Sequence, residues 1–460
     1  MRFAALVISC SVLAGCAAAP ASRLADMLAR HDEHPVEVCA LAVDLDTGEV
    51  LLSRAARRLC RPASTMKLLT TSSICRRDLD RSFRTRAVSD GAPGGQVTFV
   101  GSGDPFLTAA DVGRMAVALV GQGFGEVQGP IRVVDPLKDA PRWGEGWMWD
   151  DEPSTYQPML SGAIVDRGCV ALALRGGADG LQAALLPVAG AMKLDVQAGG
   201  GGVRATRGRY RGAERVVVTG ELPVGATQEQ RLSVPDPARF VGYVLADALR
   251  KQGAEVAPDV RVEVIGPRDV PAGVEAWCER QLAEVVVETN KVSDNLGAEL
   301  LLRDLARVSE LHPVELGVES ETIGRMTVQA DLEALGVGDA AVRVADGSGV
   351  SHYNLVSADL LVRLLVDMHE RGGRGYELFR RSLPVAGVDG TLANRMKGTA
   401  AERRVFAKTG TISAVSNLAG YVDTRSGRRL AFAILCQNFV GSAKPWRALQ
   451  DRVCAALAEL

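Results

Sequence analysis

The sequence predicts an α/β fold in which the two ends of the chain build one antiparallel sheet with helices on it, and the middle is a large, mostly-β insertion. Three observations predict it. Near the N-terminus a strand, a turn and a return strand lead into a helix. The chain ends in further strands and a closing helix. Between these parts, the stretch from Lys67 to Ser293 is too long for a loop inside a compact domain, and its texture differs from what flanks it.

The first residues read as an address. Met1-Arg2 is basic, Phe3 to Ala14 is apolar and Gly15-Cys16 is small, the make-up of a secretory signal too short to span a bilayer. Leu13-Ala14-Gly15-Cys16 resembles a bacterial lipobox, which places signal and lipobox in residues 1–16 and makes Cys16 the acylated mature N-terminus. The alternative is ordinary cleavage near Ala17-Ala18-Ala19. His31 and His34 flank Asp32-Glu33, but no third ligand pattern supports a metal and Pro35 breaks any helix, so they read as a polar linker.

Val36 to Leu45 reads as a strand, Asp46-Thr47-Gly48 as a turn and Glu49 to Arg54 as the return strand. Lys67-Leu68-Leu69 marks the helix that follows. The insertion spans 81–269. Gly- and Pro-rich turns separate short strands there, such as Gln96–Val100, Ile131–Val134, Val170–Leu174 and Arg261–Ile265, with helical stretches at Ala109–Leu119 and Pro237–Leu249. It forms one or two domains, and 22–80 with 270–460 form the split domain around it. Val405 to Ile412, Asn417 to Asp423 and Arg429 to Gln437 are its C-terminal strands. From Pro445 to Leu457 a helix buries Trp446, Leu449, Val453 and Leu457 at helical spacing.

The chemistry lies in three short patterns. Ser64 stands three residues before Lys67, so on a helix the two share a face. Just after Pro62, Ser64 falls in a first turn, where unpaired N–H groups gather. Ser293-Asp294-Asn295 and Lys408-Thr409-Gly410 follow in order, and each pattern occurs once. With five histidines and none in a motif, the base for a serine nucleophile must come from elsewhere. A lysine serves if burial or a neighbouring positive charge lowers its pKa, and Lys408 beside Lys67 supplies both. Asn295 can accept from one amine and donate to a substrate amide. Ser293 can relay a proton to the leaving amine. Lys408-Thr409-Gly410-Thr411 suits an edge strand along which a substrate backbone pairs, Gly410 allowing close approach. Lys408 and the threonine hydroxyls then hold a substrate carboxylate. Singly, each pattern also fits a helix cap or a strand end; together and in order, they make a catalytic set.

This set is the one of class A β-lactamases and penicillin-binding proteins. The chain resembles the D-alanyl-D-alanine carboxypeptidases/endopeptidases of the low-molecular-mass, class C penicillin-binding proteins. The likeness extends to Gly101-Ser102-Gly103-Asp104-Pro105, Gly146-Trp147-Met148-Trp149-Asp150-Asp151, Thr289-Asn290-Lys291-Val292, Asp346-Gly347-Ser348-Gly349 and Gly390-Thr391-Leu392. It implies a penicillin-binding (serine transpeptidase/β-lactamase-like) domain, a serine acyl-enzyme inhibited by β-lactams, and an oxyanion hole of the Ser64 and Thr411 backbone N–H groups. Peptidoglycan stem peptides are the implied substrate, in the periplasm. His352 departs from the pattern, where the resemblance leads one to expect arginine.

A class A β-lactamase would need a glutamate-bearing loop between Ser293 and Lys408, and no such motif is recognised there. A wall-binding lipoprotein on a dead enzyme scaffold is disfavoured by the intact set. No cofactor or metal pattern is found. A net charge of −2 argues against nucleic acid, and 460 residues with 47% hydrophobic composition can bury a large core. Beyond Cys16, the seven cysteines at 39, 60, 75, 169, 278, 436 and 454 include no CxxC and read mainly as buried small hydrophobes. Cys39 and Cys436, in strands expected to be neighbours, are the pair to check.

Overall fold

The strand Glu37–Asp44 is buried on both faces, Cys39 and Leu41 in one hydrophobic core and Val38, Ala40 and Ala42 in another. A strand so covered belongs at the middle of a layered domain. In this computed structural model it is the fourth strand of a five-stranded sheet, ordered Val405–Ile412, Val415–Asp423, Arg429–Gln437, Glu37–Asp44 and Val50–Arg54. All four pairings are antiparallel, so the two ends of the chain build one sheet as the sequence predicts. The structure describes residues 24, 26–28 and 36–460, apart from 92, 187–191, 198, 208–214, 269, 271 and 339–340. The signal stretch with Cys16, and His31 and His34, lie outside the described residues.

One sheet face carries the closing helix Lys444–Ala458, which buries Trp446, Leu449, Val453 and Leu457. The other face packs on the helix Lys67–Cys75, every residue of which is buried, and on Ala358–Arg371. Cys39 and Cys436 are on neighbouring strands, but their partners are Leu435 and Val38. The register sets them one residue apart, and a one-residue offset puts side chains on opposite faces. The pairing suggested by the sequence is therefore not made.

Ser82–Ser89 follows the Lys67–Cys75 helix and pairs antiparallel with Val274–Gln281, Ser82 lying opposite Gln281. The chain leaves for the insertion and returns from it along adjacent strands, and helix Leu282–Lys291 begins immediately. These two strands belong to a second five-stranded sheet with Val97–Val100, Ile131–Val134 and Val262–Ile265. Helices Ala109–Gly121 and Pro237–Lys251 share a core with it. Thr108 and Asp111 close the first by a capping box, and Asp236 with Pro237 starts the second. Two three-stranded sheets complete the described insertion apart from a two-stranded pair. Among the described residues, no helix is long and apolar enough to cross a membrane.

Candidate active site

Ser64 sits on a 3-10 turn, Ala63–Met66, and the α-helix proper begins at Lys67. The sequence put the serine in the helix's own first turn; the structure tightens that turn but keeps the shared face. The approach is clamped from the sheet. Asn417 Nδ2 donates to the Arg61 and Pro62 carbonyls at 2.9 and 2.8 Å, and Gln437 Nε2 to the Arg61 carbonyl at 3.2 Å. Ala63 takes a φ of 46°, a left-handed conformation unusual for a residue with a Cβ, directly before the serine.

Lys67 is fully buried, and its ammonium has three acceptors: Ser64 Oγ at 3.1 Å, Asn295 Oδ1 at 2.6 Å and the Ser348 carbonyl at 2.7 Å. Burial lowers its pKa to about 8, against the pull of the Asp346, Asp294 and Glu299 carboxylates. Lys408, also fully buried, donates to Ser293 Oγ at 2.8 Å and to the Thr409 carbonyl at 3.0 Å. Burial, and then repulsion from Lys67, hold it well below the usual lysine value. The sequence argument assigned that repulsion to Lys67. The repulsion is mutual; it lowers Lys408, while the Asp346, Asp294 and Glu299 carboxylates favour the charge on Lys67.

The second pattern is a helix junction. Ser293, at a φ of 61°, separates Leu282–Lys291 from Asn295–Asp304, and Asp294 caps the latter through the Gly297 N–H at 2.7 Å. This cap gives the middle residue of Ser-Asp-Asn a structural role. Asn295 Nδ2 donates to the Tyr156 carbonyl at 2.8 Å, bringing the insertion to the site.

The third pattern lies on the edge strand Val405–Ile412. A Cβ on Gly410 would fall 2.7 Å from the Pro62 carbonyl oxygen and 3.1 Å from the Ser64 nitrogen. The strand therefore runs directly beside the serine turn, and glycine is required for that approach. Thr409 Oγ1 donates to Thr391 Oγ1 at 2.8 Å, and Thr411 Oγ1 accepts from Arg447 at 3.4 Å. The structure thus brings Ser64, Lys67, Ser293, Asn295, Lys408, Thr409, Gly410 and Thr411 to one place. His352 lies outside this hydrogen-bonded set; burial, then Arg61, lowers its pKa.

Sequence reasoning quoted Asp346-Gly347-Ser348-Gly349 without giving it a role. Its Ser348 carbonyl holds Lys67. Glu299, fully buried, accepts from the Gly347 and Ser348 N–H groups at 3.0 Å each and pairs with Arg303 at 2.9 Å. Asp346 accepts from the Gly349 and Ser351 N–H groups and from Trp147 Nε1. Gly349, at a φ of 85°, has no room for a Cβ, which would meet the Ala63 carbonyl oxygen at 1.8 Å. The Asp-Gly-Ser-Gly turn was visible in the sequence; only contacts across the fold give it meaning.

A family model described as D-Ala-D-Ala carboxypeptidase 3 (S13) matches residues 21–459. The chain belongs to that family. It is a serine peptidase. It is 35% identical over 445 residues to a D-alanyl-D-alanine carboxypeptidase of an Actinomadura species, covering 91% of this chain and 80% of the relative. It is 22% identical to the D-alanyl-D-alanine carboxypeptidase DacB of Haemophilus influenzae, covering 85% and 83%. The fold matches the crystal structure of penicillin binding protein 4 (dacB) from Haemophilus influenzae with a TM-score of 0.78 at 20% identity, over 95% of this chain and 99% of that one. That protein complexed with a β-lactam matches with a TM-score of 0.72 at 19% identity, over 95% and 99%. The penicillin-binding fold expected from the sequence is the one observed.

Proposed function

We propose that the chain is a D-Ala-D-Ala carboxypeptidase/endopeptidase that cleaves peptidoglycan stem peptides through an acyl-enzyme on Ser64, and that β-lactams block it at the same atom. The observation that carries this reading is the buried Lys67 amine 3.1 Å from Ser64 Oγ, with a pKa lowered to about 8. At pH 7 roughly a tenth of such an amine is neutral, against a negligible share at the ordinary lysine value. The neutral amine takes the Ser64 proton as Oγ attacks the carbonyl carbon of the scissile bond. Backbone N–H groups of Ser64 and Thr411 receive the oxyanion. Lys408 donates to Ser293 Oγ, so as the Ser293 hydroxyl passes its proton to the leaving amine it takes one from Lys408, which the attacking water later restores. Water then attacks the acyl group, and the proton path runs in reverse. The Thr409 and Thr411 hydroxyls hold the terminal carboxylate, with Lys408 behind them.

Such a substrate lies outside the cytoplasmic membrane, which agrees with the secretory signal read at residues 1–16. The experiment is intact-mass measurement and peptide mapping after penicillin labelling. The adduct should lie on the peptide containing Ser64. An adduct elsewhere, or none on folded protein, would remove the reading.

A further inference from the structure

We propose that Cys39 and Cys60 are joined in a disulfide that ties the centre of the catalytic sheet to the segment carrying Ser64. The Cys60 Sγ lies 3.5 Å from the Cys39 Sγ, and both residues are buried, at 3% and 0% exposure. Each is fixed by its own backbone. Cys39 lies opposite Leu435 within the sheet. Cys60 exchanges two backbone hydrogen bonds with Val356, at 2.7 and 2.9 Å. Side chains held from two rigid anchors in direct sulfur contact need only a small torsional change to bond. The next residues after Cys60 are Arg61, Pro62 and Ala63, so the link closes immediately before the nucleophile. It also closes the Glu37–Asp44 and Val50–Arg54 hairpin at its open end, limiting the unfolded chain.

The chemistry removes one hydrogen from each thiol and forms one S–S bond. The two electrons and two protons pass to a disulfide-bearing oxidant, which is released as two thiols. Export, on which the proposed function rests, exposes the chain to such oxidants. Burial dictates the timing: the sulfurs are accessible before the sheet closes over them, and a reductant should not reach the bond afterwards.

The test uses the full chain, unfolded and reduced, then refolded with oxidised and reduced glutathione. Remaining thiols are alkylated after a second unfolding, and the peptides are mapped without reductant. The expected result is one cross-linked peptide pair joining Cys39 to Cys60, about 2 Da lighter than the two thiol peptides together. The refolded protein should also unfold at a higher temperature than when refolded reduced, and Cys39→Ala with Cys60→Ala should abolish that difference. Alkylation of both Cys39 and Cys60, a glutathione adduct on either, or linkage of a different pair would each overturn the proposal. Penicillin labelling of Ser64 on the same samples is read separately, so failure of the disulfide and failure of the catalytic reading are distinguishable.

Discussion

Lys67 is a cation placed among three acceptors and three carboxylates, yet buried deeply enough that its proton is loosely held. Burial wins because solvation lost by a charged amine outweighs partial compensation from carboxylates that do not contact it. The residue that sets this balance without touching the reacting atoms is Glu299. It holds the Gly347 and Ser348 amides and so aims the Ser348 carbonyl at Lys67. Burial pushes its own pKa up to about 7, while the Arg303 guanidinium beside it pulls it down. Glu299→Ala leaves the two buried N–H groups of Gly347 and Ser348 without their acceptor, at about 1–3 kcal/mol for each, while the Arg303 guanidinium keeps Glu321 and the backbone carbonyl of residue 299. The expected outcome is acylation by a β-lactam slowed at least ~10-fold, since about 1.4 kcal/mol is tenfold in rate. Glu299→Gln, which keeps a carbonyl acceptor, should retain more. Stopped-flow acylation rates, with thermal unfolding measured alongside, check this; equal rates in both variants and wild type would contradict it.

At the scale of elements, the site exists because a strand end passes a helix start without a side chain between them. Gly410 is where they meet. In Gly410→Ala the added Cβ confronts the Pro62 carbonyl oxygen at 2.7 Å and the Thr65 nitrogen at 3.0 Å. Backbone atoms cannot swing aside as a flexible side chain can, so strand and turn must separate, at about 1–3 kcal/mol. The strand is at an edge with room to move outward, so the fold should survive while penicillin labelling falls steeply. Circular dichroism with a labelling time course measures both; full labelling with an unchanged rate would show that the approach is not required. The glycine was legible in the Lys-Thr-Gly pattern, whereas its opponent, the Pro62 carbonyl, was not. Nor was Asn417, whose amide fixes that carbonyl, since an asparagine in a buried strand carries no local mark of its long-range partner. The helices Ser320–Glu333, Ala358–Arg371 and Gly373–Ser382 also went unread. Ser357 nonetheless caps Ala358–Arg371 in the ordinary way, a signal present in the sequence.

For the whole molecule, strands at both ends of the chain were readable and are joined in one sheet, whereas the return point at 269–270 was not: Val274–Gln281 still pairs with Ser82–Ser89 in the second sheet. Cys39 and Cys436 show the limit of such reading. Neighbouring strands follow from the pattern, but register depends on the whole sheet, and one residue of offset separates two faces. Residues 1–16, read from the sequence as an export signal, concern the entire protein. We propose that Cys16 is its lipidated N-terminus, motivated by Leu13-Ala14-Gly15-Cys16. Fractionation should then find the wild type with membranes and Cys16→Ala released. Identical soluble behaviour of both would favour ordinary cleavage.

The central claim is that Lys67 is the base for acylation. Its direct test is the acylation rate constant for a β-lactam against pH, in wild type, Lys67→Ala and Lys67→Arg. Because the folded pKa is lowered from 10.5 to about 8, the neutral amine accumulates as pH rises through about 8. The wild-type rate should climb across that range and then level. Lys67→Ala should lose ~10²–10⁴-fold and the pH dependence with it, the usual worth of general-base help. Lys67→Arg should fail equally, as guanidinium stays protonated. Near-wild-type acylation by Lys67→Ala, with its pH profile unchanged, would contradict the account.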